Sequence, residues 1–244
     1  MNDQKRFTGM FGFIIVAIGQ AISLIGSGMS QFAIAIWAWQ ETGQATTLAL
    51  TGFFGFAPVV LVSPFAGALV DRLNRRLVMM LSDLAAGLAT IGLLVLYLTD
   101  SLQIWHLYVL GAFVGVFQAF QWPAYSSAIS VMLPKEQYAR ASGFLQVARA
   151  GSGVLAPVLA GALIGFTDIA WIFIIDIATF LFAIGTLLII FISEPEATEE
   201  GQKSKGSIWK ESGYGFKYIW ERKSLFWLQM VFFFINLTAT FGFT

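Results

Sequence analysis

The sequence predicts an all-α integral membrane protein of at least six transmembrane helices, and three observations carry that reading. Hydrophobic residues make up 57% of the chain and charged residues 11%, against about 45–50% and about 25% in soluble domains. Six stretches reach the roughly 20 apolar residues that a helix needs to cross the hydrocarbon layer. Among the connections between them, lysine and arginine occur only in alternate ones.

The first apolar stretch, residues 11–39, comes after Lys5 and Arg6. It far exceeds the roughly 7–15 residues of a signal-peptide core, so it reads as a span rather than a cleavable leader. Further spans are expected at 47–70, 77–98, 105–132, 141–166 and 171–192, and a seventh begins at 225. The expected organisation is a six-helix transmembrane domain over 1–192, a cytoplasmic linker over 193–224 and the start of a seventh helix over 225–244. The linker opens on EPEATEEGQKSKG, too polar to pack a core. Its second part places Trp209, Phe216, Ile219 and Trp220 on one helical face and Lys210, Lys217, Glu221 and Arg222 on the other. That pattern suits a helix lying in the membrane interface; a partly ordered linker is the alternative.

Orientation is set by the basic residues, which accumulate on the cytoplasmic side. Lys5, Arg6, Arg72, Arg75, Arg76, Lys135, Arg140 and the six from Lys203 to Lys223 share one side, whereas the opposite loops hold Glu41, Asp100, His106 and Asp168. The N-terminus is therefore expected to be cytoplasmic. The formal net charge is zero, which gives no reason to expect a nucleic-acid partner. The absence of cysteine excludes disulfides and thiolate chemistry. No Gly-rich phosphate loop ending in Lys-Ser or Lys-Thr and no hydrolytic constellation is present, so neither an ATPase nor another enzyme is expected. No metal site and no cofactor is expected either; His106, beside Trp105 and Tyr108, reads as an interfacial aromatic-belt residue.

An internal repeat is visible. Asp83, Ala85, Leu88, Ile91, Gly92 and Leu94 match Asp176, Ala178, Leu181, Ile184, Gly185 and Leu187 at an offset of 93. The tetrapeptide AGAL recurs from Ala66 to Ala160 at an offset of 94. Three spans per unit is an odd number, so the second unit crosses the membrane in the opposite sense. The expected bundle is thus two inverted three-helix repeats, an arrangement common in secondary transporters.

Between the second and third spans stands Gly67-Ala-Leu-Val-Asp71-Arg72-Leu-Asn74-Arg75-Arg76. It resembles the cytoplasmic signature of the major facilitator superfamily, G-x-L-A/D-D-R-x-G-R-K/R, in the corresponding loop, with Val70 and Asn74 as departures. Asparagine tolerates left-handed backbone, so the turn at Asn74 is expected to survive the loss of glycine. The resemblance implies a loop that latches two six-helix halves together, with Asp71 facing a helix N-terminus of the other half and Arg72, Arg75 and Arg76 bridging to acids. Ordinary positive-inside anchoring is the alternative for the arginines. In the fifth span, Gly151, Gly153, Pro157 and Gly161 resemble a degenerate antiporter signature ending G-P-x-x-G-G; small-residue helix packing accounts for the same pattern. The family's fourth-span arginine is missing, since no lysine or arginine lies between Trp105 and Pro134.

The resemblance also implies that the first and fourth helices line a central cavity. Gln20, Ser23, Ser27, Ser30 and Gln31 form a polar stripe on the first, and Gln118, Gln121, Trp122 and Tyr125 on the fourth. Such a neutral, aromatic, amide-bearing cavity suits small amphipathic molecules, while interhelical hydrogen bonding is the competing use of these residues. Charges buried in spans are functional candidates by default. Asp83 and Asp176 lie roughly 9 Å and 8 Å inside opposite ends of their spans, and Arg149 roughly 13 Å past Arg140. The two acids suit either proton or substrate coupling or a shared role bracing helix ends, and Arg149 either finds a partner or snorkels to the surface.

The stretches ALVDRLNRR and FIIDIATF are most similar to superfamily exporters of the macrolide-efflux and enterobactin-exporter kind. Such a resemblance implies a proton-coupled exporter working by alternating access in a bacterial cell membrane. Its partners would be a small-molecule substrate, the lipid bilayer and a C-terminal half beyond Thr244. An uptake permease, a lysophospholipid flippase or a non-transporting scaffold are the other readings.

Overall fold

The computed structural model describes residues 9–70, 72–190 and 220–242. The basic N-terminus, Asp71 and nearly all of the linker, with its expected interfacial helix, lie outside those residues. Among the described residues, seven long helices run in order: α1 Gly9–Thr42, α2 Ala45–Val70, α3 Arg75–Leu98, α4 Ile104–Met132, α5 Tyr138–Ile164, α6 Ile169–Ile189 and α7 Lys223–Gly242. Helices α1 to α6 belong to one compact unit and α7 to a second. Six of them are long and apolar enough to cross a membrane. Helices satisfy their own backbone groups, which is why they can do so.

Local chemistry sets the helix ends. Gly43 takes a left-handed φ of 61° just past α1, and its N–H donates to the Trp39 carbonyl at 2.7 Å, a common helix stop. Asp168 caps α6 by accepting from Ala170 N–H at 2.7 Å. At α4 the Gln103 N–H donates to His106 Nδ1 at 3.0 Å, so His106 helps close the helix start as well as stacking on Trp105. Asn74 departs from expectation. It has φ −64° and ψ 113°, not left-handed backbone, and serves as the N-cap of α3, accepting from Leu77 N–H at 3.1 Å. Its short polar side chain is useful there as a cap acceptor rather than as a glycine substitute.

The principal helix contacts run in the order α2, α4, α3, α6, α1, α5. Exchanging α1 with α4, α2 with α5 and α3 with α6 reverses that order and leaves the neighbours unchanged, which is the pseudo-symmetry the sequence repeat requires. Small residues mediate both outer contacts. A Cβ placed on Gly115 of α4 would collide with the Gly55 carbonyl of α2, and one on Gly28 of α1 would lie 2.7 Å from that of Ala156 of α5. These helices approach closely because side chains are missing there.

The core divides into two apolar clusters. One gathers Phe13, Val16, Val78, Met79, Ala124, Tyr125 and Leu187 toward the end of the bundle bearing the α2–α3 turn, here called the basic end. The other gathers Met29, Ala33, Leu93, Leu107, Ile172 and Phe173 toward the opposite, acidic end. Between them along α1, α3 and α6 lie the buried polar residues Gln20, Ser23, Asp83, Thr90 and Asp176. The outer surface exposes Leu61, Leu77, Leu88, Val95, Val154 and Leu181 among many other large apolar side chains. A bilayer solvates such a surface and water does not. The chain is a multi-pass membrane protein.

Candidate functional site

On the acidic side of the polar layer, α1 has few contacts with α2 and α4, and the space between them is a cavity of about 480 Å³. Its walls are mostly apolar, with Ile34, Phe56, Leu93 and Leu107 among them, and its polar groups include Ser27, Gln31, Thr51, Thr90, Gln118 and Asp176. Asp176 is the one ionisable side chain in this lining. Helix α6 brings it in because Gly26 of α1 has no side chain; a Cβ there would come 3.2 Å from Asp176 Cα. The carboxylate is 3% exposed. Ser27 Oγ donates to Oδ1 at 3.0 Å and Thr90 Oγ1 to Oδ2 at 2.9 Å, so this acid ties α1, α3 and α6 together at the cavity wall.

The second buried acid sits nearer the basic end. Gln20 Nε2 donates to Asp83 Oδ2 at 2.7 Å and Gln121 Nε2 to Oδ1 at 2.8 Å. Gln121 also donates to Gln20 Oε1 at 3.2 Å, which closes a cluster across α1, α3 and α4. The polar stripes of α1 and α4 therefore split in two. Ser27, Gln31 and Gln118 line the cavity, whereas Gln20 and Gln121 hold Asp83. Ser23 is buried, and Tyr125 packs into the core edge-on to Phe13, with ring centres 6.5 Å apart. Arg149 of α5 places its guanidinium 4.2 Å from the centre of the half-exposed Trp122 ring, a cation–π contact.

Around the α2–α3 turn, Arg75 Nε donates to Ser127 Oγ of α4. Arg76 Nη2 donates to the Leu188 carbonyl in the last turn of α6 at 2.7 Å, where a cation complements the helix macrodipole. Both arginines thus fasten the start of α3 to neighbours within the six-helix unit. Arg72 continues the turn, its N–H donating to the Leu69 carbonyl at 3.1 Å. A Cβ on Gly67 would meet nothing within 4 Å. On α5, Ser152 and Ala156 both meet α1, Ser152 through its Oγ, which donates to the Leu24 carbonyl at 2.9 Å, and Ala156 opposite Gly28. Gly151 and Gly153 have open space where a Cβ would stand, and Gly161 faces Phe32 at 3.8 Å. Pro157 lies inside the helix without ending it.

The sequence model of the Major Facilitator Superfamily matches residues 16–244. The chain belongs to that superfamily. It is 28% identical over 219 residues to macrolide efflux protein A of Streptococcus pyogenes, covering 90% of this chain and 54% of that protein. It is 33% identical over 110 residues to the multidrug efflux pump Tap of Mycolicibacterium fortuitum, covering 45% of this chain and 27% of the pump. To the enterobactin exporter EntS of Salmonella choleraesuis it is 23% identical over 159 residues, 65% of this chain and 38% of the exporter. The chain spans about half the length of the macrolide efflux proteins it matches. Superfamily members are in general carriers rather than enzymes.

Around the cavity, sequence reasoning missed Thr90 and Thr51. Thr90 was within reach, because it stands seven residues after Asp83, two turns along the same buried face of α3. Thr51 carried no such signal, since α2 reads as almost uniformly apolar.

Proposed function

We propose that this chain forms one half of a secondary active transporter that exports small amphipathic molecules in exchange for protons. The remainder of the same protein would supply the other half. The observation that carries this reading is the cavity. Its volume suits a small organic molecule, its walls are apolar, and a single carboxylate faces a few neutral hydrogen-bonding groups. The efflux names of the relatives point the same way.

In alternating access the two halves rock about this site, open to one side of the cell membrane and then to the other. Asp176 is the coupling acid in this scheme. Ser27 and Thr90 donate to the ionised carboxylate; when a proton binds, a carboxyl oxygen becomes the donor and a hydroxyl turns to accept. Substrate and proton then compete for, or alternate at, one wall of one cavity. The basic end faces the cytoplasm by the positive-inside rule. There the loop containing Asp71 serves as the latch to the other half, and Arg75 and Arg76 fasten the start of α3 that follows it.

The test is drug flux in proteoliposomes made from the intact protein under an imposed proton gradient. Asp176→Asn keeps the shape of the site but cannot ionise. A coupling acid would lose gradient-driven export while substrate binding survives. If the Asn variant matches the parent across a range of pH, or loses thermal stability while transport per folded molecule is unchanged, Asp176 is a brace and coupling lies elsewhere.

A further inference from the structure

Three side chains at the basic side of the polar layer are not used by the cavity or by the loop. Asp83 is 4% exposed and is held by two amides, with no lysine or arginine paired to it among the described residues. Tyr125 stands one turn beyond Gln121 on α4. It is 7% exposed, and its hydroxyl has no hydrogen-bond partner. On the same helix, Gln121 carries the bond to Asp83 and Trp122 carries Arg149. Arg149 itself is exposed and rests on the ring of Trp122, the residue after Gln121.

Among the described residues, the other elements around Asp83 bring no further counter-ion. Helix α1 offers Gln20, and the acid within α6, Asp176, is engaged by Ser27 and Thr90 toward the opposite end. Arg75 and Arg76 of α3 are bonded to Ser127 and Leu188. A buried carboxylate with amides alone and a buried hydroxyl with nothing to bond are each incompletely satisfied, and the guanidinium on the nearby ring is the cation that could answer both. Both deficits disappear if the three groups meet. Helix α5 packs chiefly on α1 and touches α4 sparingly, so it can shift against α4 while few contacts are lost.

We infer that Asp83 and Arg149 form a switched ion pair, joined through the Tyr125 hydroxyl, that is open in the arrangement described here and closed in the opposite access state. In the closed state Tyr125 donates to the Asp83 carboxylate and accepts from the Arg149 guanidinium, which has left Trp122. Opening withdraws the cation; one proton taken from the water-filled side forms an O–H bond on Asp83, and closing returns that proton to water. The device rests on the alternating-access reading and gives it a charge-compensated moving part within a single half.

The experiment measures the distance between spin labels on cysteines at Val116 of α4 and Val154 of α5, both exposed, in the intact protein in nanodiscs. The parent should show two distance populations. Asp83→Asn, Arg149→Gln and Tyr125→Phe should each shift their ratio toward the open one by about fivefold or more, the lower end of site-to-site coupling. The Asp83→Asn/Arg149→Gln double variant should shift it no further than the stronger single. Tyr125→Phe should do so with thermal stability unchanged, because the hydroxyl it removes has no partner in the open state. One population unmoved by any variant, or shifts that add independently, would overturn the pair. Should Asp83→Asn fail to fold, Arg149→Gln and Tyr125→Phe with their double variant carry the same test. Substrate flux is read separately: none in a parent whose distances switch as described sinks the transport reading and leaves the ion pair standing.

Discussion

Replacing Thr90 by valine removes one hydroxyl from the buried wall of the cavity and changes its shape little. Thr90 Oγ1 lies 2.9 Å from Asp176 Oδ2, and the carboxylate is 3% exposed, so bulk water does not replace the lost donor freely. A hydrogen bond to a charged group contributes about 1.5–3 kcal/mol, a neutral one about 0.5–1.5. Interhelical hydrogen bonds in membranes average only about 0.6 kcal/mol, because the unfolded helices also find partners. Thr90→Val should therefore cost about 1–2 kcal/mol of stability if the carboxylate is ionised in the resting protein. The assay is reversible unfolding of the intact protein in bicelles, run as a cycle with Asp176→Asn. On the Asn background the same substitution should cost well under half as much, since the charge that strengthened the bond is gone. Equal costs on both backgrounds would refute the argument, because Thr90 would then act through packing or through its alternative acceptor, the Ala86 carbonyl at 3.2 Å.

The same geometry makes other outcomes measurable. Gly28→Leu should drive α1 from α5 at its contact with Ala156 and destabilise the protein by about 1–3 kcal/mol, whereas the same change at Gly153, which meets no neighbour within 4 Å, should leave the unfolding midpoint of the six-helix unit near that of the parent. Asp71→Asn should lower transport with little loss of thermal stability if the loop is a latch, and normal transport rates in that variant would remove the assignment. A cysteine at the exposed Leu73 should resist an impermeant thiol reagent in intact cells, and labelling from outside would invert the proposed topology.

The one-dimensional pattern of the chain settled a good deal. In hydrocarbon each span must satisfy its own backbone, so span number and type are written as runs of apolar residues. The inverted repeat was readable for a related reason: two units that fold alike in opposite senses keep similar residues at similar depth, as Asp83 and Asp176 do. Helix ends proved less legible. Hydropathy reports the apolar middle of a helix, whereas α5 begins at Tyr138 directly after a 3-10 turn at Lys135–Gln137 and α6 stops at Ile189 because the backbone is extended at Ile190.

The site was legible as residue types but not as pairs. Gln20, Ser27 and Gln31 announce a polar face on α1, yet a stripe cannot say that Gln20 turns to Asp83 while Ser27 turns to Asp176. Nor could it show that Gln121 would meet Gln20 from 101 residues away. Which donor meets which acid depends on the rotation and depth of each helix. Those are set by where neighbouring backbones can approach, at Gly26 beneath Asp176 and at Gly115 against Gly55. That information lies in the packing of six helices together, and the tertiary structure alone decided it.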